Sequence, residues 1–158
     1  MEERFKMKDA EPEAYKPMYA MDKYLDATGI KPLVRELIKI RASQINGCAY
    51  CVNKHSKDAR ALGETEQRII LLPVWRESPQ FTAEERLVLE MTEEITLIHR
   101  HGLSDNVYGR AIAAFGEQRT AQLIMAIISI NSWNRMGVSL LMKPPVEVIN
   151  EKKDSMVW

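Results

Sequence analysis

Apolar residues recur at helical spacing along nearly the whole chain, and no stretch alternates apolar and polar positions for long enough to read as a strand. Pro17 to about Ala27 predicts a helix stopped by Thr28-Gly29, and Pro32 suits the first turn of another that runs to Ile45. Gly47 interrupts that pattern, and a new helical period runs from Cys48 to about Leu62, before a stop at Gly63. Thr65 predicts the cap of a short helix to Trp75. Pro73, Ser78 and Pro79 mark a loop, and Thr82-Ala83-Glu84-Glu85 forms a capping box for a helix reaching about His99. Ser104 caps a helix ending near Gly116, and the nearly all-apolar run from Glu117 to about Met136 is expected at the centre of the core. Pro144-Pro145 and Glu151-Lys152-Lys153-Asp154 read as an irregular tail. The pattern predicts an all-α fold of about six helices, as one domain over residues 1–158 with its core at about 20–140.

Helical projection turns two of these segments into a candidate site. From Cys48 to Leu62, the residues Cys48, Cys51, Val52, His55, Ala59 and Leu62 share one arc, so His55 lies one turn beyond Cys51 and within reach of its sulfur. Two thiols three residues apart at a helical turn, with Cα atoms about 5 Å apart, can close a disulfide. The unpaired N–H groups and positive dipole end at the helix start favour thiolate over thiol. On the preceding helix Glu36 falls at the border of the apolar arc, half solvated, where it can act as a proton acceptor if the two helices fold back at Gly47. Arg35 and Lys39 point toward solvent, whereas Arg41 lies inside the arc and requires a counter-charge.

Composition narrows the function classes. The 158 residues are 46% hydrophobic and 28% charged, and the 22 basic and 22 acidic residues balance, so no basic surface invites nucleic acid. No apolar segment follows the charged start at Met1 to Lys8, and Leu123 to Ile130 is far short of the roughly 20 residues that span a bilayer, so a cytoplasmic protein without a membrane role is expected. Cys48 and Cys51 are the only cysteines, and in a reducing cytosol such a pair is more often catalytic or metal-binding than a staple. His99 and His101 flank Arg100 at a helix end and are assigned no chemistry. Trp133 and Asn134 are either satisfied core residues or walls of a substrate cavity.

Glu36, the stretch from Leu37 through Asn46-Gly47-Cys48-Ala49-Tyr50-Cys51, and His55 together resemble the alkylhydroperoxidase AhpD-like family of the carboxymuconolactone decarboxylase-like superfamily. Trp75-Arg76-Glu77-Ser78-Pro79 and Asn131-Ser132-Trp133-Asn134-Arg135 are also similar to stretches of that family. The resemblance implies a helical antioxidant enzyme that reduces organic hydroperoxides without cofactor or metal. Cys51 would be the peroxidatic thiol, Cys48 the resolving thiol, and Glu36 and His55 a proton relay. It also implies an external dithiol reductant and a homo-oligomer, a trimer or hexamer, for which Leu140, Leu141, Met142 and Val146 are candidate contacts unless they pack within the chain. The family's type member carries histidine where this chain has Tyr50.

Three other readings use or bypass the same residues. A general thiol-disulfide oxidoreductase or redox sensor would employ Cys48 and Cys51 without a peroxide. A metal-binding module would use Cys48, Cys51 and His55, although no fourth protein ligand is evident. A carboxymuconolactone-type decarboxylase would leave the two cysteines without a part.

Overall fold

A computed structural model of the chain describes residues 2–146. Among these residues are seven α-helices and no strand: α1 (Met7–Ala10), α2 (Tyr15–Asp26), α3 (Pro32–Asn46), α4 (Ala49–Ala61), α5 (Glu66–Leu71), α6 (Ala83–Thr96) and α7 (Asp105–Ser139). The fold is all-α, as the periodicity predicts. The tail at Glu151 to Asp154 lies outside the described residues.

Local chemistry accounts for most helix ends. Pro32 opens α3, and Gly47 closes it in a left-handed conformation with φ 68°. Thr65 caps α5, Ser104 caps α7, and Thr82 with Glu85 forms the complete capping box of α6. The α-helix after Thr65 ends at Leu71 rather than Trp75. Pro73 has no N–H to continue it, and the chain tightens into a 3-10 helix over Leu72–Glu77. α6 likewise ends at Thr96, short of His99, where Leu97 closes the last turn onto the Glu93 carbonyl. α1 is a short helix that the apolar pattern does not signal, because none of its residues is buried.

The run from Asp105 to Ser139 holds the two predicted helices end to end. Gly116, at φ 72° and ψ 170°, breaks the helical path between them. The second part is not the centre of the core. That place belongs to α3, which packs against α4, α6 and α7. Its Ile38 and Ala42 join Leu25, Val88, Met91, Leu123 and Ile127 in one apolar cluster, while its Leu37 and Ile40 join Ala59, Leu72, Trp75 and Leu89 in another. α7 contributes to the first cluster only, and Ile128 on its outer side remains 39% exposed.

One carboxylate clamps the far end of α3. Glu93 on α6 accepts from Arg41 at 2.8 Å, from the Trp75 indole at 2.8 Å and from Arg76 at 2.5 Å. Arg86 stacks its donors on the carbonyls of Arg76, Ser78 and Phe81. Arg41 therefore finds its counter-charge in Glu93, and the Trp75-Arg76-Glu77-Ser78-Pro79 stretch serves to hold the 3-10 turn against α3 and α6. Glu36 is left free for a different partner.

Candidate functional site

The turn at Gly47 sets the geometry of the two cysteines. The Cys48 N–H returns to the Ser43 carbonyl at 3.0 Å, so the chain leaves α3 and starts α4 at once, with Cys48 as its N-cap. At that position the Cys48 Sγ accepts the N–H of Cys51 at 3.3 Å, as an N-cap oxygen would. The two sulfurs are joined as a disulfide with Cα atoms 5.3 Å apart, and both residues are buried, at 2% and 5% exposure for Cys48 and Cys51. From the other side α7 presses its backbone on the pair. A Cβ added at Gly137 would stand 3.0 Å from the Cys48 Sγ and 3.5 Å from the Cys51 Sγ.

The predicted arc on α4 is only partly right. Cys51 and Ala59 are buried and His55 is half-buried, but Leu62 lies past the helix end and is 47% exposed. Cys48 sits before the helix rather than within it.

Glu36 differs more from its border position. It is only 6% exposed, because α4 folds back over this side of α3. Its Oε2 lies 2.9 Å from His55 Nδ1, and its Oε1 accepts from Lys39 Nζ at 2.8 Å. Lys39 is thus turned toward the carboxylate and not to open solvent, and Arg35 pairs with Asp26 at 2.5 Å. Burial pushes the Glu36 carboxyl upward, but the hydrogen bond with His55 and the charge and bond of Lys39 outweigh it and hold it below its usual value. At neutral pH an ionised Glu36 therefore accepts from Nδ1–H, which leaves Nε2 of His55 as the nitrogen able to take a proton.

Cys51 and His55 open on one cavity of about 690 Å³, lined also by Tyr15, Tyr19, Tyr50, Lys39 and Trp133. The Tyr15, Tyr19 and Trp133 rings stand 5.6 Å apart, centroid to centroid, in tilted pairs. Asp22 fixes the wall by accepting from the Trp133 indole at 3.1 Å and from Ser129 at 2.8 Å. Trp133 is therefore a cavity wall, while Asn134 is fully buried and structural: it donates to Ser43 and accepts from Asn46, each at 2.9 Å. Leu140 and Met142 line the same cavity within the chain, and Val146 is 93% exposed.

Glu36, His55 and Asp58 place ligand atoms within 4.8 Å of one another, the one such group among the described residues. Those atoms are already matched, His55 and Lys39 to Glu36 and Lys54 to Asp58. With the sulfurs bonded to each other, neither Cys48 nor Cys51 offers a thiolate to a metal.

Residues 12–94 match the carboxymuconolactone decarboxylase family. The chain belongs to that family. It is 42% identical over 140 residues to YdfG, an uncharacterised protein of Bacillus subtilis, covering 89% of this chain and 95% of YdfG. A crystal structure from Agrobacterium tumefaciens, of a protein of unknown function provisionally assigned to antioxidant defence as AhpD, superposes with a TM-score of 0.89 at 39% identity, covering 92% of this chain and all of that one. An alkylhydroperoxidase AhpD core from Ralstonia eutropha, an uncharacterised peroxidase-related protein, shares the fold with a TM-score of 0.74 at 19% identity, over 88% of this chain and 74% of that one. This member of the carboxymuconolactone decarboxylase family is thus AhpD-like, with a Cys-x-x-Cys pair at the head of α4.

The sequence left several of its residues unassigned. Gly137, Lys39, Tyr15, Tyr19 and Asp22 lie on three other helices, and nothing in their local pattern marks them. Asn131 and Asn134 carried a readable signal, two amides three residues apart in an otherwise apolar run. Together with Asn46 and Ser43 they tie α7 to the end of α3 just before the cysteines.

Proposed function

We propose that this protein is a thiol-dependent peroxidase that reduces organic hydroperoxides by cycling Cys48 and Cys51 between dithiol and disulfide. The observation that supports it is the shared cavity: Cys51 and His55 line it together, and His55 Nδ1 is held by the buried carboxylate of Glu36.

In the reduced protein His55 takes the Cys51 proton on Nε2, and the Glu36 carboxylate stabilises the imidazolium that results. The Cys51 thiolate attacks the terminal oxygen of ROOH. An S–O bond forms as the O–O bond breaks, and the leaving alkoxide takes the proton from His55 to become ROH. Cys48 then attacks the sulfenic sulfur of Cys51, and the disulfide forms with release of water. An external dithiol returns both sulfurs to thiols and is itself oxidised.

The cavity supports an organic substrate over hydrogen peroxide. Three aromatic rings lining the cavity on which Cys51 opens supply apolar contact that a two-oxygen molecule does not use. Such a cycle belongs in a reducing compartment, the cytoplasm, and among the described residues no helix is long and apolar enough to cross a membrane. The decarboxylase reading leaves Cys48 and Cys51 idle, and the redox-sensor reading leaves the aromatic wall idle.

The test is a thiol count on reduced protein before and after one equivalent of cumene hydroperoxide. The expected result is loss of two thiols with formation of cumyl alcohol. Thiols that stay free while the peroxide persists would reject the peroxidase. Sedimentation of the same sample reads whether the trimer or hexamer implied by the family forms.

A further inference from the structure

The two sulfurs of the disulfide do not open on the same space. Cys51 lines the aromatic cavity and Cys48 does not; Cys48 instead lines a separate, open depression of about 500 Å³. Its walls include Ser43, Gln44, Ala49, Val52, Asn53 and Arg60, and no acidic side chain lines it. From α7, the Gly137 backbone closes on both sulfurs.

Thiol-disulfide exchange requires the attacking sulfur to approach along the S–S axis, from the side away from the sulfur that leaves. An attack on Cys51 would have to come through the aromatic cavity and would place a mixed disulfide inside it. An attack on Cys48 would use the separate depression that Cys48 lines and would leave the mixed disulfide there, outside the aromatic cavity. Both sulfurs have help as leaving groups. The Cys51 N–H and the start of α4 favour a Cys48 thiolate, and the cavity that holds His55 favours a Cys51 thiolate. With stabilisation available on both sides, and both residues nearly buried at 2% for Cys48 and 5% for Cys51, what decides is the space into which each one opens.

We infer that the reductant enters by a second door, attacking Cys48 from the Ser43–Ala49–Asn53 depression, while the substrate reaches Cys51 through the aromatic cavity. This rests on the dithiol cycle proposed above and names its reducing partner's approach. The partner is a slender dithiol, because Cys48 as a whole residue is only 2% exposed and a broad face could not reach its side chain. One thiolate of that dithiol bonds to Cys48 Sγ as the Cys48–Cys51 bond breaks, and the electron pair leaves on Cys51, which is protonated in its cavity. The second thiolate then attacks its own partner sulfur in the mixed disulfide. Cys48 departs as a thiol and the dithiol as a disulfide, two electrons having passed.

The half-reaction can be read without any peroxide, so its outcome is separate from that of the peroxidase assay. Oxidised protein is treated with 2-mercaptoethanol, which cannot complete the second step efficiently, then quenched with N-ethylmaleimide and mapped by tandem mass spectrometry. The adduct is expected on Cys48 and the maleimide on Cys51; the reverse assignment would overturn the inference. In parallel, Ala49→Trp, at an exposed position in the first turn of α4, is expected to slow reduction by dithiothreitol by about tenfold or more. A rate equal to that of the unaltered protein, in a variant with unchanged circular dichroism, would also overturn it.

Discussion

Glu36 and His55 meet at 2.9 Å between Oε2 and Nδ1, although they sit on different helices that turn back on each other at Gly47. The contact ties the orientation of the imidazole to a carboxylate that Lys39 also holds, and leaves Nε2 as the ring nitrogen that does not face Glu36.

Glu36→Gln keeps the shape of the side chain and removes the charge that stabilises a protonated His55. Peroxide-driven loss of thiols is expected to slow by about 10²-fold, within the usual range for a disabled acid-base group. Stopped-flow thiol titration measures it. An unchanged rate would remove Glu36 from the reaction while leaving its structural bond with Lys39 intact.

Cys51→Ser is expected to abolish peroxide consumption, whereas Cys48→Ser is expected to permit one turnover and leave a sulfenic acid on Cys51. Dimedone labelling followed by peptide mapping reads the difference. A sulfenic acid on Cys48 in the Cys51→Ser protein would mean that the two roles are reversed.

Gly137→Ala tests how closely α7 is packed on the disulfide. The new Cβ would lie 3.0 Å from the Cys48 Sγ, closer than ordinary contact, and overpacking of this kind costs about 1–3 kcal/mol. The oxidised protein should lose that stability in urea unfolding. No loss would indicate that the two sulfurs can shift away from the helix at little cost.

Glu93→Gln should weaken the clamp on Arg41, Trp75 and Arg76. The carboxylate is largely buried and its partners are charged or indole donors, so the loss is expected at about 1–3 kcal/mol, with a change in tryptophan fluorescence. The same group carries a pH signature. Burial raises the Glu93 carboxyl, but the bonds from Trp75 and Arg76 and the charge of Arg41 outweigh it and lower the value, and Glu36 and Glu85 are lowered as well. A carboxylate depressed in the folded state adds stability that is fully present above its unfolded pKa of about 4.3 and is lost as pH falls through the folded value. Stability should therefore fall below about pH 4.3, and Glu93→Gln should flatten that fall. An identical acid profile in the variant would exclude Glu93 as a contributor.

Much of the fold was legible because its determinants are local. Pro32, Gly47, Thr65, Thr82 with Glu85, Ser104 and Gly116 act on the residues beside them, and each marks a helix boundary or break in the structure. Where the expectation missed, at Leu71 and Thr96, the helix ended before the apolar pattern did: Pro73 broke one, and the other turned at Leu97. The apolar run of α7 was legible as helix but not as a wall rather than a centre, since being apolar all round does not say how many neighbours a helix has.

The sequence by itself determined the pairing of Cys48 with Cys51, because they are the only two cysteines and three residues across a helical start bring their Cα atoms to a bondable distance. It also determined that His55 lies one turn past Cys51. Only the tertiary structure decided that Glu36 is buried and bonded to His55, that Glu93 and not Glu36 answers Arg41, that Gly137 stands against both sulfurs, and that the Tyr15, Tyr19 and Trp133 rings line the cavity on which Cys51 opens. Those contacts join separate helices, and their distances depend on how α2, α4 and α7 pack around α3, which no local spacing encodes.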